Sequence, residues 1–463
     1  MKISLIGAAG VRTPLIVQSI ARRQQRLGLD ELALMDIDGE HLDLIGAVID
    51  SAITAQGQGR LGFRLSRTTD ARQALQGADY VITTFRVGGI ESRVVDERVP
   101  LGLGILGQET TGPGGFAMGL RSVPVLLDYL RLMSECCPGA WLVNFANPAG
   151  MLAEAVIRSG EWERVVGICD SPSSIQRVAA ALVDAPENEV YLDYFGLNHL
   201  GWVRSVLHRG ADLLPQFIAL LQQAGSLPGL PFDPQFIARL GMIPNEYLFY
   251  YYHAAQAVKN ILASGRTRGE RIAAANLRLF ADLRRNRTVE NPQTLLKIYF
   301  DYLDERGRTY MTAETGASHE AGNIGPELAA RFAQALGGEG YAGVALDLIE
   351  ALSGGAPRLM ILNIPNRGAI PGMGAQDVVE IPAYVGRDLI RPIAVGSIPA
   401  HPLGLMQQVK AYEQLTIQAA VEGCYALALQ ALTVHPLVRD LESARLILDG
   451  YIQGHGAYFP ALH

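Results

Sequence analysis

Cysteine is scarce in this chain of 463 residues, which has only Cys136, Cys137, Cys169 and Cys424. The adjacent pair, Cys136 and Cys137, can hardly form a disulfide with each other without strain. So few cysteines in so long a chain do not suit a disulfide-stabilised secreted domain, and we expect free thiols.

Long apolar runs and an excess of basic charge are also lacking. No uncharged stretch approaches the ~18 apolar residues of a membrane span. The opening "MKISLIGAAG" has neither the apolar core nor the cleavage site of a signal peptide. We therefore expect a cytoplasmic protein with no membrane partner. The net charge of −7 argues against a nucleic-acid partner, because phosphate backbones favour a strongly basic surface.

What the chain does have is the composition of a globular protein, with 49% hydrophobic and 18% charged residues. "KISLIGAAG" predicts a strand and a turn, "VRTPLIVQSIARRQQRLG" a helix, and "ELALMDID" a second strand. "ADYVITTF" (78–85), "AWLVNFAN" (140–147) and "RVVGICD" (164–170) resemble further buried parallel strands, with a helix at 120–135. Residues 1–198 are thus predicted to form an α/β domain with a Rossmann-like doubly wound parallel sheet.

The pattern changes beyond residue 198. "NEYLFYYYHAAQAVKNILAS", "NPQTLLKIYFDYLDE", "YAGVALDLIEALSG" and the long segment from "PLGLMQQ" to "LTVHP" have helical periodicity. "RLMILNIPN" and "QDVVEIPAYV" are typical of strands. We expect residues 199–463 to form one mixed, helix-rich second domain.

The N-terminal turn, "GAAGVRTP", is an imperfect copy of the glycine-rich dinucleotide fingerprint, with Ala9 in place of the middle glycine. A nucleotide pyrophosphate could still lie at the helix N-terminus, and Asp36 ends the next strand where a ribose contact is usual. The alternative is a glycine-rich turn without a ligand. Asp36 favours NAD over NADP, because a carboxylate repels a 2′-phosphate, whereas Arg12 leaves NADP open. The candidate cofactor residues are Gly7, Gly10, Val11, Arg12, Thr13 and Asp36.

Cys169 ends a predicted parallel strand, on the side of the sheet where ligands bind. About thirty residues downstream, "YFGLNHLGW" places His199 in a loop among glycines. A thiolate and an imidazole would suit a transition metal. Each residue alone is more often a structural one, and their spacing does not decide between the two readings.

Basic residues cluster in "SGRTRGERIAAANLRLFADLRRNR" at 264–287. A solvated helix face with ion pairs is one interpretation. In the other, an arginine at the start of the segment reaches an anionic substrate.

Several stretches together resemble glycoside hydrolase family 4, in order and over nearly the whole chain. They are "RVVDERVPLGLGILGQETTGPGGFAMGLRSVP" (93–124), "NFANPAG" (144–150), "GICD" (167–170), "GLNHLGW" (196–202), "GMIPNEYLFYYY" (241–252) and "EIPAYVGRDLIRPIAVGSIP" (380–399). The branch that the chain most resembles is the 6-phospho-β-glucosidases. The resemblance implies an NAD-dependent glycosidase with a divalent metal, usually manganese, assembled as a dimer or tetramer.

Most glycosidases use a pair of carboxylates, but the mechanism implied by this resemblance to the NAD-dependent family 4 does not. NAD oxidises C3 of the sugar, a base removes the C2 proton, the aglycone is eliminated, water adds, and the hydride returns. The metal ligands match Cys169 and His199, and the tyrosine base matches Tyr247. The residue that tunes this base matches Glu109, and Asp170 lies where some members carry the proton donor. Tyr250, Tyr251 and Tyr252 are interpreted as core packing.

The substrate residues implied by the resemblance are Arg93, Asn147 and Arg268, with Asn198 and Arg86 as further candidates. Two features depart from the family. Phospho-β-glucosidases tend to have Asn after the metal-binding Cys, whereas phospho-α-glucosidases tend to have Asp, so Asp170 leaves the anomeric preference open. "GAAG" stands in place of the usual glycine-rich turn.

The same residues also allow other functions. Within the family, the chain could act on a 6-phospho-α-glucoside or on an unphosphorylated hexoside or uronide. Outside it, an NAD-dependent hydroxyacid dehydrogenase would share the N-terminal fold, although the second domain and the expected catalytic pair do not match. A non-catalytic nucleotide sensor would leave Cys169, His199 and Tyr247 without a role.

Overall fold

A parallel sheet forms the N-terminal part of the fold in the computed structural model, which describes residues 1–55, 61–225, 230–289, 291–316, 326–336 and 339–463. Its strands lie in the order β3-β2-β1-β4-β5-β6, which is the strand order of a doubly wound dinucleotide-binding sheet. The predicted α/β class and Rossmann-like topology are confirmed. These strands are β1 (Lys2–Ile6), β2 (Glu31–Met35), β3 (Arg64–Thr68), β4 (Tyr80–Thr83), β5 (Trp141–Asn144) and β6 (Val165–Gly167).

The sheet continues past β6 into strands from the C-terminal half. These added strands pair antiparallel in the order β6-β11-β12-β7-β8-β10, with β13 beside β12 and β9 beside β8. The described residues thus form one mixed sheet of 13 strands. The added strands are β7 (Val190–Leu197), β8 (Leu200–His208), β9 (Ala211–Asp212), β10 (Ile243–Pro244), β11 (Arg358–Pro365), β12 (Val378–Gly386) and β13 (Leu389–Pro392).

Helices of the N-terminal half connect successive parallel strands, as such a sheet requires. Their apolar faces pack against β-branched and leucine side chains of the buried strands. They are α1 (Thr13–Leu27), α2 (Gly39–Ala55), α3 (Ala71–Leu75), α4 (Gly89–Leu101), α5 (Pro113–Cys136), α6 (Ala149–Ser159) and α7 (Ser171–Leu182).

The C-terminal half is rich in helix, as expected. Short 3₁₀ turns occupy Glu187–Glu189, Glu246–Leu248 and Gly456–Tyr458. Its helices are α8 (Leu214–Ala224), α9 (Pro234–Leu240), α10 (Phe249–Tyr252), α11 (Ala254–Ser264), α12 (Arg268–Arg285), α13 (Pro292–Arg308), α14 (Thr312–Thr315), α15 (Pro326–Leu336), α16 (Gly340–Leu352), α17 (Ala400–Glu422), α18 (Tyr425–Val434) and α19 (Leu441–His455).

Two segments with continuous helical periodicity are each broken in the structure. The aromatic run begins as the 3₁₀ turn Glu246–Leu248 and becomes α10, which ends at His253 before α11 begins. The long C-terminal segment divides into α17 and α18 at Gly423, whose φ of 64° ends α17 in the left-handed region.

One row of paired residues crosses the sheet and marks the edge where the site lies. It runs from Met35 through Ile6, Thr83, Asn144 and Gly167, and then through Asn363 and Glu380 to Gly196. In the parallel part, this edge is the carboxyl end of the strands, where ligands bind in open α/β sheets. The segments that carry Gly7, Asp36, Asn147, Cys169 and His199 leave the sheet shortly after this row.

Candidate functional site

The glycine turn after β1 brings the backbone close to the end of β4. Gly7 has a φ of 92°, and a side-chain carbon there would lie 2.5 Å from the amide nitrogen of Phe85. Helix α1 then begins beyond Arg12, where no side chain caps the first turn. The amides of Gly7, Gly10 and Thr13 donate to the carbonyls of Met35, Gly7 and Gly10, so a pyrophosphate at this helix terminus would be held by the amides of Val11 and Arg12.

Asp36 follows β2 beside this turn. Its Oδ2 accepts a hydrogen bond of 2.9 Å from the Ala9 amide, and its Oδ1 accepts one of 3.1 Å from the Asp38 amide. Burial raises the pKa of Asp36, while these backbone donors oppose that rise. The carboxylate is therefore held at the glycine turn, where a ribose hydroxyl could reach it.

The side chain of Arg12 lies over an aromatic ring. Its guanidinium carbon is 4.4 Å from the centroid of Tyr341. Tyr341 in turn hydrogen-bonds the side chain of Asp170, which begins α7 without capping it. The cofactor turn and the segment that follows Cys169 are thus connected through an aromatic side chain.

Cys169 lies two residues beyond β6 and is only 3% exposed. Burial raises the pKa of its thiol well above the ordinary value, and the neighbouring carboxylates Glu380 and Asp170 raise it further. A thiol in this environment becomes a thiolate when a cation is beside it.

His199 lies between β7 and β8 with a φ of 62°. Its Nδ1 is 2.9 Å from the Thr110 hydroxyl, and this hydroxyl donates to Gln108 Oε1 at 3.1 Å. Gln108 Oε1 is identified as an acceptor because it also receives the amide of Thr111 at 2.7 Å. We therefore assign the proton of His199 to Nδ1, which leaves Nε2 with a lone pair. Burial lowers the pKa of His199 to about 4, so the ring is neutral, as a metal ligand must be.

Tyr247 packs against one candidate metal ligand, His199, and interacts electrostatically with the other, Cys169. Its ring stacks on that of His199, with centroids 3.7 Å apart, and the charge of a Cys169 thiolate acts on its pKa. A thiolate and a neutral imidazole are both donors that suit a divalent transition metal. Within the described ranges, no group of three or more His, Cys, Asp or Glu side chains has the geometry of a metal site. Two protein ligands would leave coordination positions open for oxygens of a substrate.

The Tyr247 hydroxyl accepts a hydrogen bond of 3.2 Å from Tyr310. The 3₁₀ turn that carries Tyr247 is capped by Asn245, whose Oδ1 accepts from the Leu248 amide at 3.3 Å. Burial raises the pKa of Tyr247 well above its ordinary value. Proton abstraction by this phenol requires positive charge nearby, which a cation at Cys169 and His199 would supply.

Glu109 is bound by two arginines. It pairs with Arg86, and its Oε2 is 2.8 Å from Arg93 Nη1. Burial alone would raise the pKa of Glu109, but Arg93 and Arg86 more than offset it, so the pKa lies well below the ordinary value. The negative charge of Glu109 also acts on His199. Glu109 therefore connects the candidate substrate arginines to the imidazole.

Arg268 begins α12 and is 7% exposed. Its Nη1 donates to the Thr309 hydroxyl at 2.6 Å and its Nη2 to the Arg306 carbonyl at 2.8 Å. No carboxylate forms an ion pair with Arg268 in the part of the chain that the structure describes. Burial and the positive charges of Arg93 and Arg306 lower its pKa. A buried cation without an ion-pair partner is suited to an anionic group of a ligand.

The two asparagines lie at the same edge of the sheet. Asn147 follows β5 and is half-buried just before α6. Asn198 Oδ1 accepts from the Ala149 amide at 3.1 Å, and its Nδ2 lies 3.5 Å from Glu380 Oε1. Asn198 thus holds the start of α6 against the His199 loop, and its amide is engaged within the protein.

The rest of the basic segment forms a solvated face. Arg278 pairs with Glu305 at 2.7 Å, Arg284 with Glu40 at 2.7 Å, and Arg287 with Asp43 at 3.4 Å. The interpretation as a solvated face therefore holds for these arginines, and the role of Arg268 toward an anionic substrate stays a prediction.

The aromatic residues after Tyr247 pack as expected. Tyr250 is 1% exposed, Tyr251 stacks near His435, and the Tyr252 hydroxyl accepts from Trp202 Nε1 at 3.0 Å. All four cysteines are free, as expected. Among the described residues, no helix combines the length and apolar character needed to cross a membrane.

Sequence reasoning missed several residues at the site. Thr110 and Gln108 belong to the "GQETTG" stretch that supplied Glu109, so this stretch could have indicated them. Tyr310 lies in the turn after α13 and Tyr341 in α16, and neither belongs to a motif. Glu380 is a lone carboxylate in a strand of mostly apolar residues, and this contrast could have indicated it. Its carboxylate accepts hydrogen bonds from the Tyr194 hydroxyl at 2.6 Å and from Asn363 Nδ2 at 3.0 Å.

Comparison with known proteins identifies similarity along the whole chain. The family model "Family 4 glycosyl hydrolase" matches residues 2–185, and the model of its C-terminal domain matches residues 194–438. A protein of Bacillus subtilis named "Probable 6-phospho-beta-glucosidase" is 33% identical over 470 residues, covering 99% of this chain and 97% of its own. The 6-phospho-beta-glucosidase of Escherichia coli is 30% identical over 474 residues, with coverages of 99% and 96%.

Solved structures are similar over the same length. The 6-phospho-beta-glucosidase of Thermotoga maritima with NAD and glucose-6-phosphate has a TM-score of 0.82 at 28% identity and full coverage of both chains. A 6-phospho-alpha-glucosidase from gut microorganisms in complex with NAD and Mn2+ has a TM-score of 0.81 at 27% identity, covering 100% of this chain and 99% of its own.

Proposed function

This chain belongs to family 4 of the glycosyl hydrolases, and on that premise we propose that it hydrolyses 6-phosphoglycosides, above all 6-phospho-β-glucosides, with NAD and a divalent metal ion such as manganese. The observation that carries the proposal is the stacking of the His199 ring on the Tyr247 ring, with Cys169 close enough to act electrostatically on the tyrosine. A candidate base is therefore packed on a neutral imidazole and influenced by the Cys169 thiol, which follows β6 at the ligand-binding edge of a dinucleotide-type sheet.

When bound, NAD and the metal would supply reversible hydride transfer at C3 and Lewis-acid polarisation of the sugar oxygens. Gly7, Gly10, Val11, Arg12, Thr13 and Asp36 would hold the dinucleotide, and Cys169 and His199 the metal. Tyr247 removes the C2 proton, and Asp170 gives a proton to the departing glycosidic oxygen.

Arg268 and Arg93 bind the phosphate group of the substrate. Arg268 is buried without an ion pair among the described residues. Arg93 uses Nε for Glu97 and Nη1 for Glu109, which leaves its Nη2 nitrogen for a phosphate oxygen. A guanidinium fork suits a sugar phosphate. Glu109 holds Arg86 and Arg93 in place and tunes the neighbouring imidazole and tyrosine, while Asn147 and Asn198 line the substrate side.

Asp170 favours a second substrate class within the family. Its carboxyl group can protonate an aglycone, which an asparagine could not do, and Tyr341 holds it in place. Because phospho-α-glucosidases tend to have Asp at this position, activity on 6-phospho-α-glucosides is the alternative. Both anomers therefore belong in the test.

The test offers p-nitrophenyl glycosides of both anomers, with and without a 6-phosphate, to the protein with Mn²⁺, NAD and a reductant. We expect aglycone release only from phosphorylated substrates, without accumulation of NADH, and deuterium at C2 of the product in D2O. Stoichiometric NADH without aglycone would instead support a hydroxyacid dehydrogenase. Release only from unphosphorylated substrates would support a hexosidase or uronidase.

Three further features of the proposal have their own support. The strand order favours a boundary somewhat before residue 198, because β7 (Val190–Leu197) pairs with β8 and β12 of the C-terminal half. NAD would be bound by the N-terminal part, and the substrate, metal and subunit contacts would come from the C-terminal part together with Cys169. Four free thiols suit the reducing cytoplasm. We also infer a homodimer or homotetramer, and analytical ultracentrifugation that returns a monomer would contradict it.

A further inference from the structure

Glu97 on α4 is a buried carboxylate with a donor on each oxygen. The residue is 1% exposed. Its Oε1 accepts from Arg93 Nε at 2.8 Å, and its Oε2 accepts from the Gly269 amide at 2.6 Å. Both oxygens are therefore engaged with the same two parts of the protein that carry the candidate phosphate-binding arginines.

The two partners of Glu97 fix two different arginines. Arg93 lies one helical turn before Glu97 on α4, and its Nη1 is held by Glu109 at 2.8 Å. Gly269 follows Arg268 directly in the first turn of α12. A side-chain carbon at Gly269 would lie 2.8 Å from Glu97 Oε2, so the close approach depends on glycine at this position.

The start of α12 has little capacity left for an anion. Thr267 and Glu270 form a capping box, in which the Glu270 amide donates to Thr267 Oγ1 at 3.2 Å and the Thr267 amide to Glu270 Oε2 at 2.8 Å. Glu97 takes the Gly269 amide as well. The side chains of Arg268 and Arg93, and not the backbone of this helix, are therefore available to a phosphate.

We propose that Glu97 is a positioning residue for 6-phosphate recognition, because it holds the Arg93 side chain and the Arg268 backbone in a fixed relation across α4 and α12. The inference rests on the proposed function and deepens it. Glu97 touches neither the sugar nor the phosphate, and it acts through the separation and orientation of two guanidinium groups. Such an arrangement lets a substrate bind without first ordering the side chains that recognise it.

The main test compares ligand binding to the wild type and to Glu97→Gln, both loaded with NAD and Mn²⁺. Glutamine offers one acceptor oxygen, so either Arg93 Nε or the Gly269 amide loses its partner. Titration calorimetry should show the Kd for glucose 6-phosphate rising about tenfold to a hundredfold, while the affinities for glucose and NAD stay unchanged. In turnover, KM for the phosphorylated substrate should rise with kcat changing far less.

Two more variants keep the test decisive. Arg98→Gln is the matched control, because Arg98 connects the same two helices through Glu270 at 2.6 Å without touching Arg93 or Arg268. It should keep the wild-type affinity for glucose 6-phosphate. Gly269→Ala keeps the carboxylate but crowds it, because the added carbon would lie 2.8 Å from Glu97 Oε2 and 3.2 Å from Arg93 Cγ, and it should reproduce the selective loss. If Glu97→Gln does not fold, an unchanged Kd for glucose 6-phosphate in Gly269→Ala overturns the inference.

Equal weakening of glucose and glucose 6-phosphate binding in Glu97→Gln would overturn the inference, as would an unchanged Kd for glucose 6-phosphate. The inference would also be overturned if Arg98→Gln lost as much affinity for glucose 6-phosphate as Glu97→Gln. A wild-type protein that binds glucose as tightly as glucose 6-phosphate would instead refute the proposed substrate class, and the inference with it.

Discussion

The ring of His199 stacks on the ring of Tyr247 with centroids 3.7 Å apart and planes inclined by 8°. Thr110 holds the imidazole at Nδ1, and Tyr310 donates to the phenol hydroxyl. The candidate metal ligand and the candidate base thus form one packed unit. A change in either ring alters the surroundings of the other, so informative variants keep the ring and change only its polar atom.

Tyr247→Phe meets that requirement, because it removes the hydroxyl and keeps the stacked ring. Loss of a general base costs about 10²- to 10⁴-fold in rate. We expect a fall of that size in kcat, with glucose 6-phosphate affinity close to that of the wild type. Steady-state turnover and deuterium incorporation at C2 provide the measurement. Tyr458→Phe, at a residue that is 59% exposed, is the control, and wild-type turnover by Tyr247→Phe would eliminate the assigned base.

Cys169→Ser tests the metal site without relying on catalysis. A thiolate bound to Co²⁺ gives a charge-transfer absorption that an alcohol cannot give. We expect the Co²⁺-loaded wild type to show this band, the variant to lack it, and Mn²⁺ affinity to fall because a soft ligand is lost. Cys424→Ser changes a cysteine that follows α17 and should retain the band. Persistence of the band in Cys169→Ser would place the metal elsewhere.

Asp170→Asn tests how the aglycone departs. Poor leaving groups need a proton in the transition state, whereas p-nitrophenolate leaves without one. We expect turnover of methyl glycoside 6-phosphates to fall about 10²-fold or more, and turnover of the p-nitrophenyl substrates to change little. The rates for the α and β anomers with the same leaving group also report the anomeric preference. An equal fall for both leaving groups would show that Asp170 is not the proton donor.

The sequence predicted the parallel part of the fold well because its signals are local. Gly7 and Asp36 lie within one β-turn-α-β unit, and the buried strands are short apolar runs. The extension of the sheet could not be predicted, since β11 and β12 insert between β6 and β7 from almost two hundred residues downstream. No local pattern records which strand a distant strand will join.

The same contrast holds at the site. Cys169, His199 and Tyr247 were indicated by their motifs, but the contacts that hold them come from elsewhere in the chain. The bond between Glu97 and the Gly269 amide joins residues far apart in sequence. The break at His253 was missed because apolar periodicity continues through it, whereas Gly423 carried the usual signal for a helix end.

His435 provides a prediction about stability. The residue is 1% exposed, its ring packs against Tyr412 with centroids 4.4 Å apart, and its Nδ1 accepts from the Leu437 amide at 3.0 Å. Burial lowers its pKa to about 3. An unfolded chain binds a proton at this histidine below pH ~6.5, whereas the folded protein does so only below about 3. The contribution of neutral His435 is therefore complete above pH ~6.5 and is lost as the pH falls toward 3.

His435→Phe removes this titration and keeps an aromatic ring against Tyr412. Each pH unit within the window is worth up to about 1.4 kcal/mol for one proton, so Tm of the wild type should fall more steeply than Tm of the variant between pH 6.5 and 4.5. The other titrating groups are common to both proteins and cancel in the difference. His463→Gln replaces an exposed histidine and should follow the wild-type curve. If Tm of the wild type and Tm of His435→Phe fall equally with pH, His435 binds its proton equally in the folded and unfolded chains, and the prediction is wrong.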